Sequence, residues 1–294
     1  MKKALLYLHI AVFLAGFTGV LGRLISLNES LLVWYRLLFT CLSMCGLFLW
    51  QRSFPVVSRT GLAKIFGVGA IVALHWVSFY GSIKYSNVSV ALVCFSTLSF
   101  FSAILEPLVT RKKVSVAEVL LGLITILGVY LIFHFDAQYK KGILFGIVSA
   151  VLASLFTVLN KGLLARYQPR TVTFYELSGG FLVLSFILPF YLHLSRMPFS
   201  LPHGWDWPWL LFLSLVCTVL AFYLSLSALK SVSPFTVNLT YNLEPVYGII
   251  LAFLIYKENK NLHNSFYAGL LLIFTAVLIQ MLRVYKKERR SALS

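Results

Sequence analysis

The chain has 294 residues, of which 60% are apolar and only 12% are charged. The charged share is about half that of an average soluble domain, which excludes a water-soluble globular protein. The formal net charge of +16 would suggest nucleic-acid binding in a soluble protein. Here the basic residues lie in short spacers between apolar runs of about 20 residues, the length that a helix needs to cross a membrane. No basic face is left for nucleic acid.

The apolar runs, delimited by these charged spacers, predict an all-α membrane protein of about ten transmembrane helices. The helices are placed near residues 4–22, 31–50, 62–83, 88–109, 116–134, 142–160, 172–192, 207–228, 233–256 and 265–282. The first run is too long for the apolar region of a signal peptide, which indicates an uncleaved helix. All four cysteines lie inside apolar runs, so no disulfide framework, metal site or cofactor is predicted.

The distribution of basic residues predicts the orientation of the chain. Most of the 25 Lys and Arg residues fall in the two termini and in alternate spacers. An excess of basic residues marks the cytoplasmic side of a membrane protein. We therefore predict a multi-pass protein of the cytoplasmic (inner) membrane, surrounded by lipid, with both termini in the cytoplasm.

The chain contains a weak internal repeat, with a first copy over residues 4–134 and a second over 142–282. Within it, Trp34-Tyr35-Arg36-Leu37 recurs as Phe174-Tyr175-Glu176-Leu177. Because each copy holds an odd number of spans, the second copy is expected to lie inverted relative to the first. Inverted five-helix repeats place a binding site near the bilayer midplane, between the two copies.

Three charged side chains stand out inside predicted helices, Arg36, Glu176 and Glu244, because a charge inside the membrane costs at least about 2.5–3.5 kcal/mol. Arg36 is a candidate anchor for a substrate carboxylate, because its planar guanidinium can bind one bidentately. The alternative for Arg36 is a structural ion pair or a side chain that reaches the interface. Glu176 occupies the aligned position in the second copy and is a candidate coupling residue.

Glu244 is the most informative of the three, because it lies near the midplane directly before Pro245. Proline cannot donate to the carbonyl of Tyr241, and such a broken turn is tolerated only where it lines a cavity or is covered by protein. A carboxylate there can change charge between two facing states of a transporter, so Glu244 is the main candidate coupling residue. The alternative is a structural, hydrogen-bonded glutamate.

Five other polar or aromatic residues are candidates for substrate binding. His75 and Trp76 lie just past the middle of the third helix, Thr97 lies in the fourth, and Asn238 and Asn242 lie in the ninth. Each has a structural alternative. The histidine can be a core donor, the tryptophan can be a packing residue, and the hydroxyl and amides can bond to neighbouring helices.

The motifs around these residues resemble a known family. Asn242-Leu243-Glu244-Pro245-Val246-Tyr247-Gly248, followed by Tyr256-Lys257-Glu258 and Gly269, resembles the ninth and tenth helices of EamA-type transporters of the drug/metabolite transporter superfamily. Ser86-Asn87-Val88-Ser89-Val90-Ala91 is similar to the segment before the fourth helix of that family. The resemblance covers nearly the whole chain. It implies a fold of ten helices around a central cavity. It also implies a protein that carries amino acids, their derivatives or other small metabolites, commonly outward.

The sequence therefore predicts a secondary transporter that moves a small organic metabolite by alternating access, with export as the direction and protons as the coupling ion. A nucleotide-binding GxxxxGK[ST] loop is absent from the sequence, so the energy is expected to come from a gradient. Two alternatives are a membrane-embedded enzyme and a non-transporting receptor or scaffold. The first lacks clustered histidines, and the second would not need polar groups at the midplane. We predict that the chain is not an enzyme.

Overall fold

The computed structural model describes residues 2–111, 113–133, 139–257 and 264–291, and over these ranges the chain is helical with short connections and no β-strand. The helices are α1 (Lys2–Leu24), α2 (Glu29–Trp50), α3 (Arg59–Tyr85), α4 (Val88–Phe95), α5 (Leu98–Thr110), α6 (Val116–Phe133), α7 (Lys140–Leu164), α8 (Pro169–Ser195), α9 (Asp206–Ser214), a π-helix (Leu215–Leu220), α10 (Ala221–Leu229), α11 (Pro234–Tyr241), α12 (Glu244–Tyr256) and α13 (Asn264–Ser291). Glu258 of the family-like motif lies outside the described residues.

The predicted spans correspond to these helices. Eight spans in the described part of the chain are long and apolar enough to cross a membrane. The helices α6 and α13 add two shorter apolar stretches, Val116–Gly128 and Tyr267–Ala276. The structure therefore confirms the all-α membrane fold, and it divides the predicted fourth, eighth and ninth spans into shorter segments.

Short connections join the helices at each of the two ends of the bundle. Residues 51–58, 165–168 and 230–233 connect helices at the end where α1 begins, which we call the terminal end. Residues 25–28, 86–87 and 196–205 connect helices at the other end, which we call the opposite end.

The fourth and ninth spans are each broken near their middle. Span four breaks between α4 and α5, where the hydroxyls of Ser96 and Thr97 donate to the carbonyls of Val93 (2.6 Å) and Cys94 (2.7 Å). Span nine breaks between α11 and α12, directly before Pro245. These breaks free backbone groups inside the membrane, which must be satisfied within the protein. The second break places Glu244 at the start of a helix in the middle of the bundle.

Helix α3 changes its partner along its length. Near the opposite end it contacts α7, where Ser82 Oγ donates to the carbonyl of Gly142 at 2.7 Å. Nearer the terminal end it crosses α8, where a Cβ added at Gly69 would overlap the carbonyl of Glu176 and one added at Gly180 would approach the carbonyl of Gly69. Glycine at both positions allows the two backbones to approach closely.

We expect Gly69→Ala to destabilise the protein, because the new methyl group forces α3 and α8 apart at their closest approach. Overpacking of this kind typically costs about 1–3 kcal/mol. Gly46→Ala is the matched control, since a Cβ there has no neighbour within 4 Å among the described residues. The midpoint of thermal unfolding in detergent should fall for Gly69→Ala and stay unchanged for Gly46→Ala. Equal midpoints for the two variants would contradict this view of the α3–α8 contact.

Candidate functional site

A cavity of about 80 Å³ lies in the middle of the bundle, which is room for a few water molecules. Helices of both repeats contribute to its walls. Its polar lining residues are Thr18, Arg36, His75, Thr157, Asn160, Ser225, Asn238, Tyr241 and Glu244. Its aromatic lining also includes Trp76, Phe79, Phe95, Phe156 and Phe222. A solute larger than a few water molecules fits only if the surrounding helices or side chains move apart.

Arg36, on α2, is held in this cavity by neutral groups. Its Nε donates to Thr218 Oγ1 (2.7 Å), its Nη1 to the Tyr80 hydroxyl (2.9 Å) and its Nη2 to the Cys217 carbonyl (3.4 Å). The guanidinium lies over the ring of Trp76, 3.8 Å from its centroid. Arg36 is only 2% exposed, so it does not reach the membrane interface. In the described part of the chain no carboxylate forms an ion pair with it.

These contacts leave hydrogen-bonding capacity on Arg36. A guanidinium carries five N–H donors in a planar fork, and the three bonds to Thr218, Tyr80 and Cys217 use three of them. Among the described residues, two N–H groups of Arg36 therefore have no partner and can serve a ligand. The site combines a desolvated positive charge with free donors, which suits a carboxylate or another oxyanion.

A π-helix places two of the groups that hold Arg36. In the π-helical segment Leu215–Leu220, Thr218 Oγ1 donates to the carbonyl of Leu213, five residues earlier, at 2.6 Å. The wider turn brings the Thr218 hydroxyl and the Cys217 carbonyl to the same side of the helix, facing the guanidinium. Single π-helical turns are rare and are often found at functional sites.

Glu244, the first residue of α12, is 4% exposed and lines the same cavity. Its Oε1 lies 3.5 Å from Thr18 Oγ1. The Thr18 hydroxyl already donates to the carbonyl of Ala15 at 2.6 Å, and a hydroxyl has one proton to give. The hydrogen bonding of the carboxylate to the protein is thus weak, and Arg36 attracts it across the cavity without forming an ion pair among the described residues.

His75 connects α3 with α7 at the cavity wall. Its Nδ1 lies 2.9 Å from both the carbonyl and the hydroxyl of Ser149. The rings of Phe95 and Phe156 pack against the imidazole, each with its centroid 5.5 Å from that of the imidazole. These contacts fix the orientation of the ring and are those of a satisfied core histidine.

The structure brings together some of the predicted substrate-binding residues and separates others. Asn238 lines the cavity, and its Nδ2 donates to Ser102 Oγ at 3.1 Å. Thr97 and Asn242 lie outside the cavity lining. The hydroxyl of Thr97 satisfies the broken turn of span four, and Asn242 Nδ2 donates to Ser99 Oγ at 2.9 Å. Both residues are located at the helix breaks, where the Thr97 hydroxyl bonds within its own span and the Asn242 amide bonds to span four, and neither side chain lines the cavity.

Glu176 also lies outside the cavity lining, but it is hydrogen-bonded to a residue that lines the cavity. The side chain is fully buried, and its Oε1 accepts a hydrogen bond of 2.9 Å from Asn160 Nδ2. Asn160 itself lines the cavity. Among the described residues, the Oε2 atom of Glu176 and the Oδ1 atom of Asn160 have no hydrogen-bond partner. A proton on Glu176 Oε2 would supply the donor that the amide oxygen requires.

Hydrogen bonds join the helices at both ends of the bundle. At the opposite end, Asp206 accepts from the backbone N–H (2.8 Å) and the hydroxyl (2.5 Å) of Ser26. At the terminal end, Lys161 Nζ donates to the carbonyls of Leu229 and Val232, each at 2.7 Å. The cavity therefore lies between these two groups of hydrogen bonds, one at each end of the bundle.

Three residues that shape the site were not among the candidates predicted from the sequence. Tyr80 lies one turn after Trp76, and its role as an Arg36 partner depends on a contact between α2 and α3. The role of Thr218 depends on the π-helix, which the sequence pattern does not predict. Asn160 is a polar side chain inside an apolar run, which is a usable sequence signal.

In the described part of the chain, eight long and two shorter apolar spans surround a buried cavity that contains charged and polar groups, an arrangement that defines a multi-pass membrane transporter. Comparison with known proteins makes this more specific. The model of the EamA-like transporter family matches residues 2–134 and 140–282. The chain therefore belongs to the EamA-like transporter family, and its two matched segments are the two inverted repeats of that architecture.

Similar proteins extend over most of the chain. The uncharacterized transporter YetK of Bacillus subtilis is 27% identical over 260 residues, which are 84% of this chain and 78% of YetK. An uncharacterized transporter of Archaeoglobus fulgidus is 24% identical over 253 residues, covering 86% of this chain and 87% of the relative. A solved crystal structure superposes with a TM-score of 0.69 at 16% identity, over 95% of this chain and 97% of that one. The last similarity concerns the fold alone.

Proposed function

We propose that the protein is a secondary transporter that exports a small organic metabolite, such as an amino acid or a related solute, across the cytoplasmic membrane. Transport occurs by alternating access between the repeats 4–134 and 142–282. Both termini lie in the cytoplasm, so that the terminal end of the bundle is the cytoplasmic end. The excess of basic residues in the termini and alternate connections supports this orientation.

One observation carries the proposal. A guanidinium from the first repeat, Arg36, and a carboxylate from the second, Glu244, face the same cavity and attract each other across it, but they form no ion pair among the described residues. Two opposite charges held apart in a buried site compensate each other only in part, and a ligand or a proton can satisfy the remainder. A solute with an anionic group and a cationic or hydrogen-bonding group satisfies both.

The roles of the lining residues follow from their positions. Arg36 binds the anionic group of the solute, Trp76 covers the guanidinium, and His75 and Asn238 complete the polar wall. Glu244 carries the coupling proton, and Glu176 is a second coupling site that reaches the cavity through Asn160. Thr97 supports substrate binding indirectly by satisfying the broken turn of span four, and Asn242 does so by linking the breaks of spans four and nine through Ser99.

The test compares the small metabolites inside and outside cells that lack the protein, overproduce it, or overproduce Arg36→Ala at equal membrane levels. We expect at least one amphoteric solute to accumulate outside the overproducing cells and to be retained by cells that lack the protein. Arg36→Ala should abolish the difference. External pools that do not change with protein level would contradict export, and a depleted external pool would reverse the direction.

A further inference from the structure

A second hollow lies away from the central cavity, on the outer surface of the bundle at the terminal end. It is a groove of about 590 Å³ between the first part of α3 and the last part of α7. Its apolar walls are formed by Val68, Ile71, Leu159 and Leu163, and none of the central cavity residues lines it.

The groove exists because α3 changes its partner. Close to the opposite end α3 contacts α7, but beyond Gly69 it crosses α8, which leaves the last turns of α7 uncovered on this side. Two glycines, Gly67 on α3 and Gly162 on α7, face the gap. A Cβ at either position would have no neighbour within 4 Å among the described residues. The hollow is therefore open along its length.

The rim of the groove is basic. Lys64 and Arg166 line its terminal end, next to the hydroxyls of Ser58 and Thr60. Among the described residues neither basic side chain makes a hydrogen bond or an ion pair. Acidic residues are absent from the lining. From Lys64 to Ile71 the apolar wall runs for about 10 Å along the axis of α3, since a helix rises about 1.5 Å per residue.

We propose that this groove binds one anionic phospholipid from the leaflet at the terminal end. Lys64 and Arg166 contact the phosphate headgroup, and the hydroxyls of Ser58 and Thr60 complete its hydrogen bonding. One acyl chain lies against the apolar walls over Gly67 and Gly162. Basic pockets between membrane helices bind anionic headgroups in this way. A free phosphate ion would satisfy the rim but would leave the apolar part of the groove unused.

The test is native mass spectrometry of the full-length protein in detergent, titrated with phosphatidylglycerol, with phosphatidylcholine of the same acyl chains, or with inorganic phosphate. We expect one phosphatidylglycerol to bind each chain, more tightly than phosphatidylcholine. Lys64→Gln combined with Arg166→Gln should weaken binding about 30-fold, from the contribution of two basic residues close to an anionic lipid. Arg52→Gln combined with Lys113→Gln is the matched control, since both residues lie at the same end and neither lines the groove nor adjoins a residue that does.

A second variant tests the apolar hollow of the groove separately from its basic rim. Gly162→Phe fills the hollow and keeps both basic residues, and it should also abolish the bound lipid. Each of three results would overturn the proposal. The first is equal binding of the two phospholipids, and the second is full displacement of the lipid by inorganic phosphate. The third is an equal loss of lipid binding in the groove and control charge variants. The measurement reports lipid binding and not transport, so its outcome does not depend on the proposed function.

Discussion

Arg36→Lys is expected to lower transport of the solute about ten- to hundredfold, at unchanged protein level. A lysine keeps the charge but cannot reproduce the planar fork that now bonds to Thr218, Tyr80 and Cys217 while presenting two further N–H groups. Loss of one hydrogen bond to a charged group costs about 1.5–3 kcal/mol, which corresponds to this range. The measurement is uptake or counterflow in proteoliposomes, at solute concentrations below saturation.

The matched control is Arg170→Lys. The guanidinium of Arg170 also stacks on an aromatic ring, that of Phe48 at 4.2 Å, but it lies outside the cavity lining at the terminal end. The same chemical change there should leave transport at the native rate. Native kinetics for Arg36→Lys, or equal losses for both variants, would assign Arg36 to structure.

Glu244→Gln is expected to remove either transport or its response to an imposed pH gradient. Glutamine keeps the shape and the hydrogen-bonding capacity of the glutamate but cannot gain or lose the charge. Because Glu244 has only a long contact to Thr18 and no paired cation among the described residues, its carboxylate is available to a proton or to the solute. Transport is measured in proteoliposomes with and without the gradient.

Two other glutamates sharpen this test. Glu106→Gln is the control, because Glu106 Oε2 accepts from the backbone N–H of Phe235 at 2.9 Å, outside the cavity. This variant should keep both the native rate and the native pH response. Glu176→Gln asks whether the second buried carboxyl group shares the coupling. If Glu244→Gln behaves like Glu106→Gln while Glu176→Gln is uncoupled, the coupling proton belongs to the Glu176–Asn160 pair.

The fold was largely predictable, because the length of each apolar run sets the number of spans. The break in span nine was also predictable, since Pro245 removes a backbone donor in mid-membrane. The break in span four was not. No proline lies there, and the hydroxyls of Ser96 and Thr97 bond to carbonyls three residues earlier, as such side chains also do in continuous helices.

The site was predictable where a charge interrupts an apolar run. Arg36 and Glu244 were found this way, because a charge in the membrane needs a compensating function or partner. The partners themselves were not predictable, since Tyr80 and Thr218 reach Arg36 from different helices and one of them depends on the π-helix. For Thr97 and Asn242, residue type and depth were not enough, because the local breaks decide the direction of these side chains.

The hydrogen bonds of Arg36 join the two repeats, since Thr218 and Cys217 belong to the second and Arg36 to the first. In the proposed alternating access, rocking of one repeat against the other breaks these bonds and leaves a buried guanidinium short of acceptors, which is costly. A bound anion would travel with the guanidinium and replace the lost acceptors, whereas the empty protein has only water to offer. We therefore expect the unloaded return to be the slow step of the cycle, and exchange of one solute for another to be favoured over leakage down the gradient.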